Sequence, residues 1–584
     1  MNYKRKYETE LPHGNYIHNL LKARGIEDIE NFLEPTEEHL HSPYLLDNLE
    51  SGVRLVEEHL KLNSTIGLIV DCDADGICSA AIIYLYLRQI QPQIQIRWTT
   101  HTGKIHGIVD KIDWILDSKI QLLIVPDAGS SEYDLHKKLA QDYGIDILVL
   151  DHHEASSYSK DATIINNQLS VNYPNKALSG AGVTYKFCQA LDNHYNLNFA
   201  NNYLDLVALS LVSDVMNLTT LENRYIIETG FAAINNKAFQ ELVKKQDYSM
   251  QSQVNPTTVA WFIGPLINAV TRAGTQEEND DMFIAFIDPY ARLKSTKKGA
   301  KINDIELAYE KLARASSNIR NRQNKLKEQA IEAIQSKIER ENLTQHKLLV
   351  ITLNKEEAKL VPSTLTGLVA AHFMSEYKRP TLLGRISEFK NGTKYPSKII
   401  RGSIRSDDLF GFGGLKTFLE NSKLMEYVQG HENASGWSLD FNNLSQLLDY
   451  ADAELASFNF EEKQYLVDYI FQSNEAIAPA ILNLAAKPML WGQGNPEPLI
   501  VVENVQISRD DVACIGANKD TVKFRINKVD FIKFKDEEYK KKLLENNWSK
   551  LTILGNVALN SFRGTTTPQI LVRDYDISCS DDDF

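Results

Sequence analysis

Disulfide chemistry is the first thing this 584-residue sequence lacks. Its five cysteines, Cys72, Cys78, Cys188, Cys514 and Cys579, are scattered. They have neither the paired spacing of a thiolate zinc site nor the framework of a disulfide-stapled secreted domain. A reducing, cytoplasmic setting is expected. Long apolar runs are also missing: none reaches the length of a bilayer span, and the opening MNYKRKYETELPHGNYIH has no signal-peptide core. Neither a membrane partner nor a targeting segment is expected. Nor is there an excess of basic charge, since 63 Lys and Arg stand against 77 Asp and Glu, a formal charge of −14. That balance excludes a generally basic nucleic-acid coat protein, while a local basic groove stays open. A single core rarely serves more than about 250 to 300 residues, so a chain of this length should hold roughly three or four domains.

What is present is a repeated way of ending strands. The stretch IGLIVDCDADGICS, residues 66 to 79, runs from five apolar residues into Asp71, Asp73 and Asp75, and the SAAIIYLYLRQI that follows predicts a helix. QIQIRW (93–98), QLLIV (121–125) and IDILVL (145–150) follow, with helix-like segments between them, the pattern of a parallel α/β sheet. The third run ends in Pro126-Asp127 and the fourth in Asp151-His152-His153. Right-handed crossovers keep the carboxyl ends of parallel strands together, so these three clusters should converge. A fourth candidate, Asp214, closes the apolar helix pattern from Leu204 to Val212, where a negative side chain opposes the helix dipole and calls for a cation nearby.

Taken singly, each residue has a plainer explanation. Asp73 and Asp75 can cap a helix, Asp127 can serve a turn, and His152 can be a satisfied core or surface histidine. Three carboxylates crowded at one crevice are costly without a cation, and this favours metal. An Asp and His set without Cys suits Mn²⁺, or else Mg²⁺, better than zinc. Two adjacent ions bridged by a shared carboxylate would activate water and neutralise phosphoryl charge in an in-line displacement, so phosphoester hydrolysis is the expected reaction class.

The motifs DCDADG, VPDAG (125–129), DHH (151–153) and SDV (213–215), in that order, resemble those of the DHH phosphoesterase superfamily. INNQLSVNYPNKALSGAGVTYKF (165–187), DLVALSLVSDVMNLTTLENR (205–224) and IGPLINAVTRAG (263–274) resemble its RecJ branch of single-strand-specific 5′ to 3′ DNA exonucleases. TGLVAAHFMSEYKRP (366–380), RGSIRS (401–406) and QGHENASG (429–436) are similar to the DHH-associated domain of that branch. The resemblance implies that Asp71, Asp73, Asp127, His152 and Asp214 are metal ligands, with Asp127 bridging two ions. It places Asp75, Asp151 and His153 beside them, where a carboxylate orients an imidazole or a phosphate is held. It implies substrate contacts from Asn268, Arg272, Arg379, Ser403, Arg405 and His431, although without the resemblance Arg405 would be read as pairing with a neighbouring carboxylate such as Asp407. The chain departs from the pattern in three places. His106-Gly107-Ile108 stands where relatives have Gly-Tyr-Gly, Leu266 where they have an Arg, and Gln429 where they have the first Gly of Gly-Gly-His.

The implied architecture is a multidomain α/β chain. A helical lead-in (1–50) precedes a parallel-sheet DHH catalytic domain (51–300), a connecting helix (301–342) and a second α/β DHH-associated domain (343–455). A helical linker (456–486), an OB-fold barrel (487–578) and an acidic tail (579–584) follow. INDIELAYEKLARASSNIRNRQNKLKEQAIEAIQSKIEREN, without Pro or Gly, predicts the long helix. Its charges are a solvated face by default, although Arg314, Arg320 and Arg322 could line a cleft. The β-rich runs after GNPEP suit a small antiparallel barrel. In it Phe524, Arg525, Phe531, Lys533, Phe534 and Lys535 could stack and neutralise a single strand, or the alternate Phe residues could be barrel core. The tail SDDDF is a solvated terminus by default, and also resembles the Phe-ended tails of single-strand-binding proteins, which suggests docking onto a replication or recombination partner or onto the chain's own basic groove.

The expected protein is therefore a monomeric exonuclease using Mn²⁺ or Mg²⁺, with two ions, to degrade single-stranded DNA from its 5′ end into 5′ mononucleotides. Two alternatives stand beside it. One is a phosphodiesterase of short oligonucleotides or cyclic dinucleotides; the other is a non-catalytic replication scaffold like the Cdc45 relatives.

Overall fold

The computed structural model describes all residues except 102, 104, 302, 390–396, 408, 409, 461–463, 517, 563, 564 and 581–584. The end of the acidic tail, residues 581–584, therefore lies outside the described residues. The chain divides into two units, one of residues 5–319 with 467–584 and one of residues 1–4 with 320–466.

In the larger unit, β1 (Ile66–Val70), β2 (Ile96–Thr100), β3 (Leu122–Pro126), β4 (Asp146–Asp151) and β5 (Thr163–Asn166) form a five-stranded sheet in the order β2-β1-β3-β4-β5. Every pairing is parallel. β1 and β3 are buried at every residue, which is why their sequences are unbroken apolar runs rather than alternating ones. The register pairs Leu68 with Ile124 and Ile124 with Leu148. Carried two residues further, it aligns Val70, Pro126 and Leu150, so that Asp71, Asp127 and Asp151 follow in one row. Helices α1 (Ala74–Ile90) and α2 (Gly180–Tyr195) pack on this sheet, and α3 (Leu204–Ser213) and α4 (Gly264–Ala273) pack in turn against α1. Ile77, Ile82, Val183, Phe187, Leu206 and Leu209 sit with the strands in one core.

The predicted long helix is α5 (Ala308–Arg340), 33 residues. It starts later than expected, because Ile305–Leu307 is a short strand paired with Arg292–Lys294. Arg314 bonds Glu306 and Thr296, so the helix's first arginine has an acidic partner at home.

In the smaller unit, β6 (Leu349–Leu353), β7 (Thr381–Phe389), β8 (Ser397–Arg405), β9 (Met425–His431) and β10 (Ala434–Asp440) form a mixed sheet in the order β9-β10-β8-β7-β6. Helix α6 (Thr366–Tyr377) contributes Val369, Ala370 and Phe373 to a core with Ala330, Ile334 and Ile338 of α5.

The C-terminal part of the larger unit differs from the expected helical linker and barrel in two ways. Residues 464–472 are extended, not helical, and Tyr469 and Phe471 alternate inward along β11 (Tyr469–Gln472). Among the described residues of the expected linker, α7 (Ile477–Leu484) is the helical part. β12 (Leu499–Ser508), β13 (Ala513–Ile515), β14 (Thr521–Ile526), β15 (Val529–Lys533), β16 (Trp548–Phe562) and β17 (Thr565–Ser580) complete a seven-stranded sheet, order β11-β12-β16-β17-β15-β14-β13. It is mixed rather than antiparallel, since β11 runs parallel to β12 and β15 parallel to β17. Phe524 and Phe531 stack on each other in its core, 5.1 Å apart and 2 % and 0 % exposed, so neither ring is open to a base. Arg525 pairs with Asp530, and Phe534 is the exposed member of the set.

The N-terminal segment is no free lead-in. Ile17, Leu20, Leu21 and Phe32 share the core of Phe471, Ile481 and Val502, and Arg24 forms a buried ion pair with Asp468 at 3.0 Å.

Candidate metal centre

The row of aspartates predicted by the register is met by the start of α1 and the end of α3. Asp71 is buried, and its Oδ2 lies 2.5 Å from His106 Nδ1. Asp73 is the N-cap of α1, accepting from Gly76 N at 3.0 Å. Asp127 takes a left-handed backbone, φ 63°. Its Oδ1 is 3.2 Å from His152 Nε2, and the same nitrogen is 3.6 Å from Asp214 Oδ2. Asp214 caps the C-terminus of α3 and is followed by Val215, also left-handed at φ 57°. All five residues assigned as ligands by the resemblance thus meet at one place. Donor atoms of Asp71, Asp73 and Asp127 lie within 4.8 Å of one another, as do those of Asp127, His152 and His153. Asp127 is common to both groups.

The remaining three residues are held differently. Asp75 is saturated: its carboxylate accepts from Ser79 Oγ (3.1 Å), Ser210 Oγ (2.6 Å), Gly180 N (2.7 Å) and Ala181 N (2.8 Å). It ties α1 to the N-terminus of α2 and to α3. Asp151 accepts from His152 N, His153 N and Ser130 N, and its Oδ1 is 2.8 Å from His153 Nδ1. Burial alone would raise the Asp151 carboxyl, but its bond to His153 and the charge there hold it below the ordinary range. The same bond outweighs burial at His153 and lifts the imidazole to about 9, so this pair is ionic at neutral pH.

The charge pattern fits a cation. Burial, reinforced by Asp75, Asp73, Asp71 and Asp214, pushes Asp127 well above the carboxylate range. Burial and the charges of Asp75 and Asp73 do the same at Asp214. Asp71 Oδ1 and Asp127 Oδ1 are buried acceptors with no hydrogen-bond partner among the described residues. Orphaned carboxylate oxygens facing like charges are what a divalent ion satisfies, and an oxygen-rich set with one imidazole matches Mn²⁺ or Mg²⁺.

The candidate substrate residues fall in two places. Asn268, on α4, accepts from Ala74 N at 3.3 Å, which sets it against the start of α1; Arg272, in the last turn of the same helix, is half-buried. In the smaller unit, Ser403 on β8 pairs with Gly436 on β10, which pairs with Gln429 on β9, so RGSIRS and QGHENASG are side by side. Ser403 Oγ is 2.9 Å from Thr366 Oγ1 at the start of α6. The Arg405 guanidinium covers Gly367, where a Cβ would come within 2.4 Å of Nη2. His431 is exposed. Arg379 differs from expectation: its guanidinium donates to the carbonyls of Thr344, His346 and Tyr377, which binds it to the chain entering the sheet.

Two histidines of the loop after β2, His101 and His106, escaped the sequence reading, which weighed that loop only for its lost aromatic. The doublet of His five residues apart around a glycine, directly after a strand of the same sheet, was the available signal.

Comparison with known proteins agrees with this geometry. Residues 65–211 match the DHH family, N-terminal domain, and residues 472–574 match the RecJ OB domain. A Bacillus subtilis (strain 168) protein provisionally named SPbeta prophage-derived single-strand DNA-specific exonuclease YorK is 34 % identical, over 96 % of this chain and 95 % of that one. The single-stranded-DNA-specific exonuclease RecJ of the same organism is 25 % identical, over 96 % of this chain and 68 % of its own. The crystal structure of RecJ in complex with Mn²⁺ from Thermus thermophilus superposes with a TM-score of 0.69, covering 96 % of this chain and 75 % of that chain at 19 % identity, a likeness of fold. With a relative this similar along nearly its whole length, the chain belongs to the RecJ-like family of single-strand-specific exonucleases within the DHH superfamily.

Proposed function

We propose that this chain is a metal-dependent exonuclease that hydrolyses single-stranded DNA from the 5′ end and releases 5′ mononucleotides. The observation that carries the reading is the gathering of Asp71, Asp73, Asp127, His152 and Asp214 around two buried carboxylate oxygens that accept no hydrogen bond among the described residues. In our reading these five residues hold two Mn²⁺ or Mg²⁺ ions, and Asp127 serves both. When bound, such ions supply Lewis acidity toward water and toward the phosphodiester.

The chain's own residues do the rest. Asp75 fixes the α1 turn against α2 and α3, so the ligands keep their spacing without an ion to hold them apart. Asp151 keeps a proton on His153 Nδ1 and orients the ring, leaving a half-exposed imidazolium to receive a phosphoryl oxygen. Ser403, Arg405 and His431 in the smaller unit, and Asn268 and Arg272 in the larger, are assigned to the strand being degraded, with Arg405 as the phosphate donor. Arg379 is assigned to the fold.

The test is a nuclease assay on 5′- and 3′-labelled single strands with Mn²⁺, run beside duplex DNA and beside Asp127→Ala. The reading expects mononucleotides from the 5′ end of single strands and none from the variant. Equal degradation of duplex would remove the single-strand assignment, and full activity in the variant would remove the metal centre.

A further inference from the structure

The loop after β2 is built to hold one side chain in place. His101, fully buried, contacts Gly107 O through Nε2 at 2.9 Å, and its Nδ1 lies 3.1 Å from Asp110. Lys111 Nζ donates to Thr100 O at 3.0 Å, closing the loop's base. Glu132, five residues beyond Asp127, accepts from Ile108 N at 2.8 Å. Gly107 takes φ 73°, and a Cβ there would meet Glu132 Oε2 at 2.5 Å, so only glycine lets the chain pass this close. Between these anchors His106 lies with Nδ1 2.5 Å from Asp71 Oδ2 and Cys72 Sγ 3.6 Å from both ring nitrogens, its side chain 50 % exposed. Donor atoms of Asp71, Cys72 and His106 all lie within 4.8 Å of one another.

We infer that His106 is a nitrogen ligand of the metal centre on its Asp71 side. The inference rests on the metal-dependent reading above and adds to it. Without His106, the donors divide unevenly: His152 serves the group of Asp127 and Asp214, while the group of Asp71, Asp73 and Asp127 is oxygen alone. The anchored loop brings one imidazole to Asp71, a member of the second group. Imidazole favours Mn²⁺ over Mg²⁺, so both ion positions would share that preference instead of one. A bare Asp–His ion pair would make the same short contact, and the distinction is measurable.

The full-length chain, stripped of metal, is titrated with Mn²⁺ and its bound ions examined by pulsed electron paramagnetic resonance for nitrogen coupling. The wild type should take up two ions with two coupled imidazole nitrogens. His106→Ala should weaken one ion by at least ~10-fold, leave the other unchanged, and lose one nitrogen. His106→Gln, which keeps a polar group of similar reach, should fold with wild-type circular dichroism and lose the same nitrogen. Wild-type affinity for both ions and undiminished nitrogen coupling in either folded variant would overturn the inference while leaving the metal centre standing. Absence of Mn²⁺ uptake by the wild type would overturn the metal-dependent reading and this inference together.

Discussion

Asp127 must satisfy a backbone and an electrostatic demand at once. At φ 63° it occupies the left-handed region, which costs an ordinary L-residue about 1 to 2 kcal/mol but is tolerated by Asp and Asn. Its carboxylate sits among like charges. Asp127→Asn should therefore abolish Mn²⁺ binding while keeping the backbone, and in chelator urea unfolding should find it more stable than Asp127→Ala by about 1 kcal/mol. His136 gives a pH prediction away from the metal. It is fully buried, neither ring nitrogen has a hydrogen-bond partner among the described residues, and burial lowers its pKa to about 4. With the folded value below the unfolded value of about 6.5, its contribution is intact above pH 6.5. As pH falls toward 4 the unfolded chain takes up a proton that the folded one refuses, and stability drops by at most about 1.4 kcal/mol per pH unit. Chemical denaturation between pH 7 and 4 should show a shallower acid limb in His136→Phe.

At the scale of elements, the site depends on how closely α2 approaches the sheet edge. Gly180 opens that helix, and a Cβ on it would come within 2.4 Å of Asp127 Oδ1. Gly180→Ala should leave the melting temperature within a few degrees of wild type yet weaken Mn²⁺ binding by roughly 10 to 100-fold, as displacement of a ligand's support does elsewhere. Calorimetric titration of metal-free protein measures this directly. The strands carrying Asp71, Asp127 and Asp151 were legible because each apolar run stops at an acid, and parallel topology forces such ends together. β11 was not, because its inward Tyr469 and Phe471 sit in the short apolar run LVDYIF, which suits a buried helix as well as a strand, and its partner, β12, lies some thirty residues on. Phe524 and Phe531 were ambiguous for a related reason: a stacking ring and a core ring look alike until a face is assigned. His106 was passed over because the doublet that marks it says nothing of the ties to Glu132 and Asp71, which lie far from it in sequence or on another strand end.

At the scale of the whole molecule, sequence order and spatial order part company. The segment that reads as a separate helical lead-in belongs to the core of the C-terminal sheet. Arg24 is its strongest tie: the guanidinium bonds Asp468 and Asn495 and lies over Trp491, with the Arg24 and Asp468 side chains 6 % and 4 % exposed. Arg24→Ala strands the Asp468 charge in that interior. It should cost about 3 to 5 kcal/mol in thermal or urea unfolding of the C-terminal sheet, far more than a surface pair would. Leaving residues 1–45 out of an expressed C-terminal fragment should likewise give an aggregating product, checked by its sedimentation.

That tie also sets a schedule for biosynthesis. Ile17 N donates to Asn483, a partner 466 positions later in the chain. At roughly 5 to 20 residues per second of synthesis, the helix Tyr16–Ala23 leaves the ribosome roughly 25 to 90 s before the surface that covers it exists. For that interval Leu20 and Leu21, buried in the finished protein, stand without that cover on the nascent chain. They are natural clients for a chaperone throughout elongation.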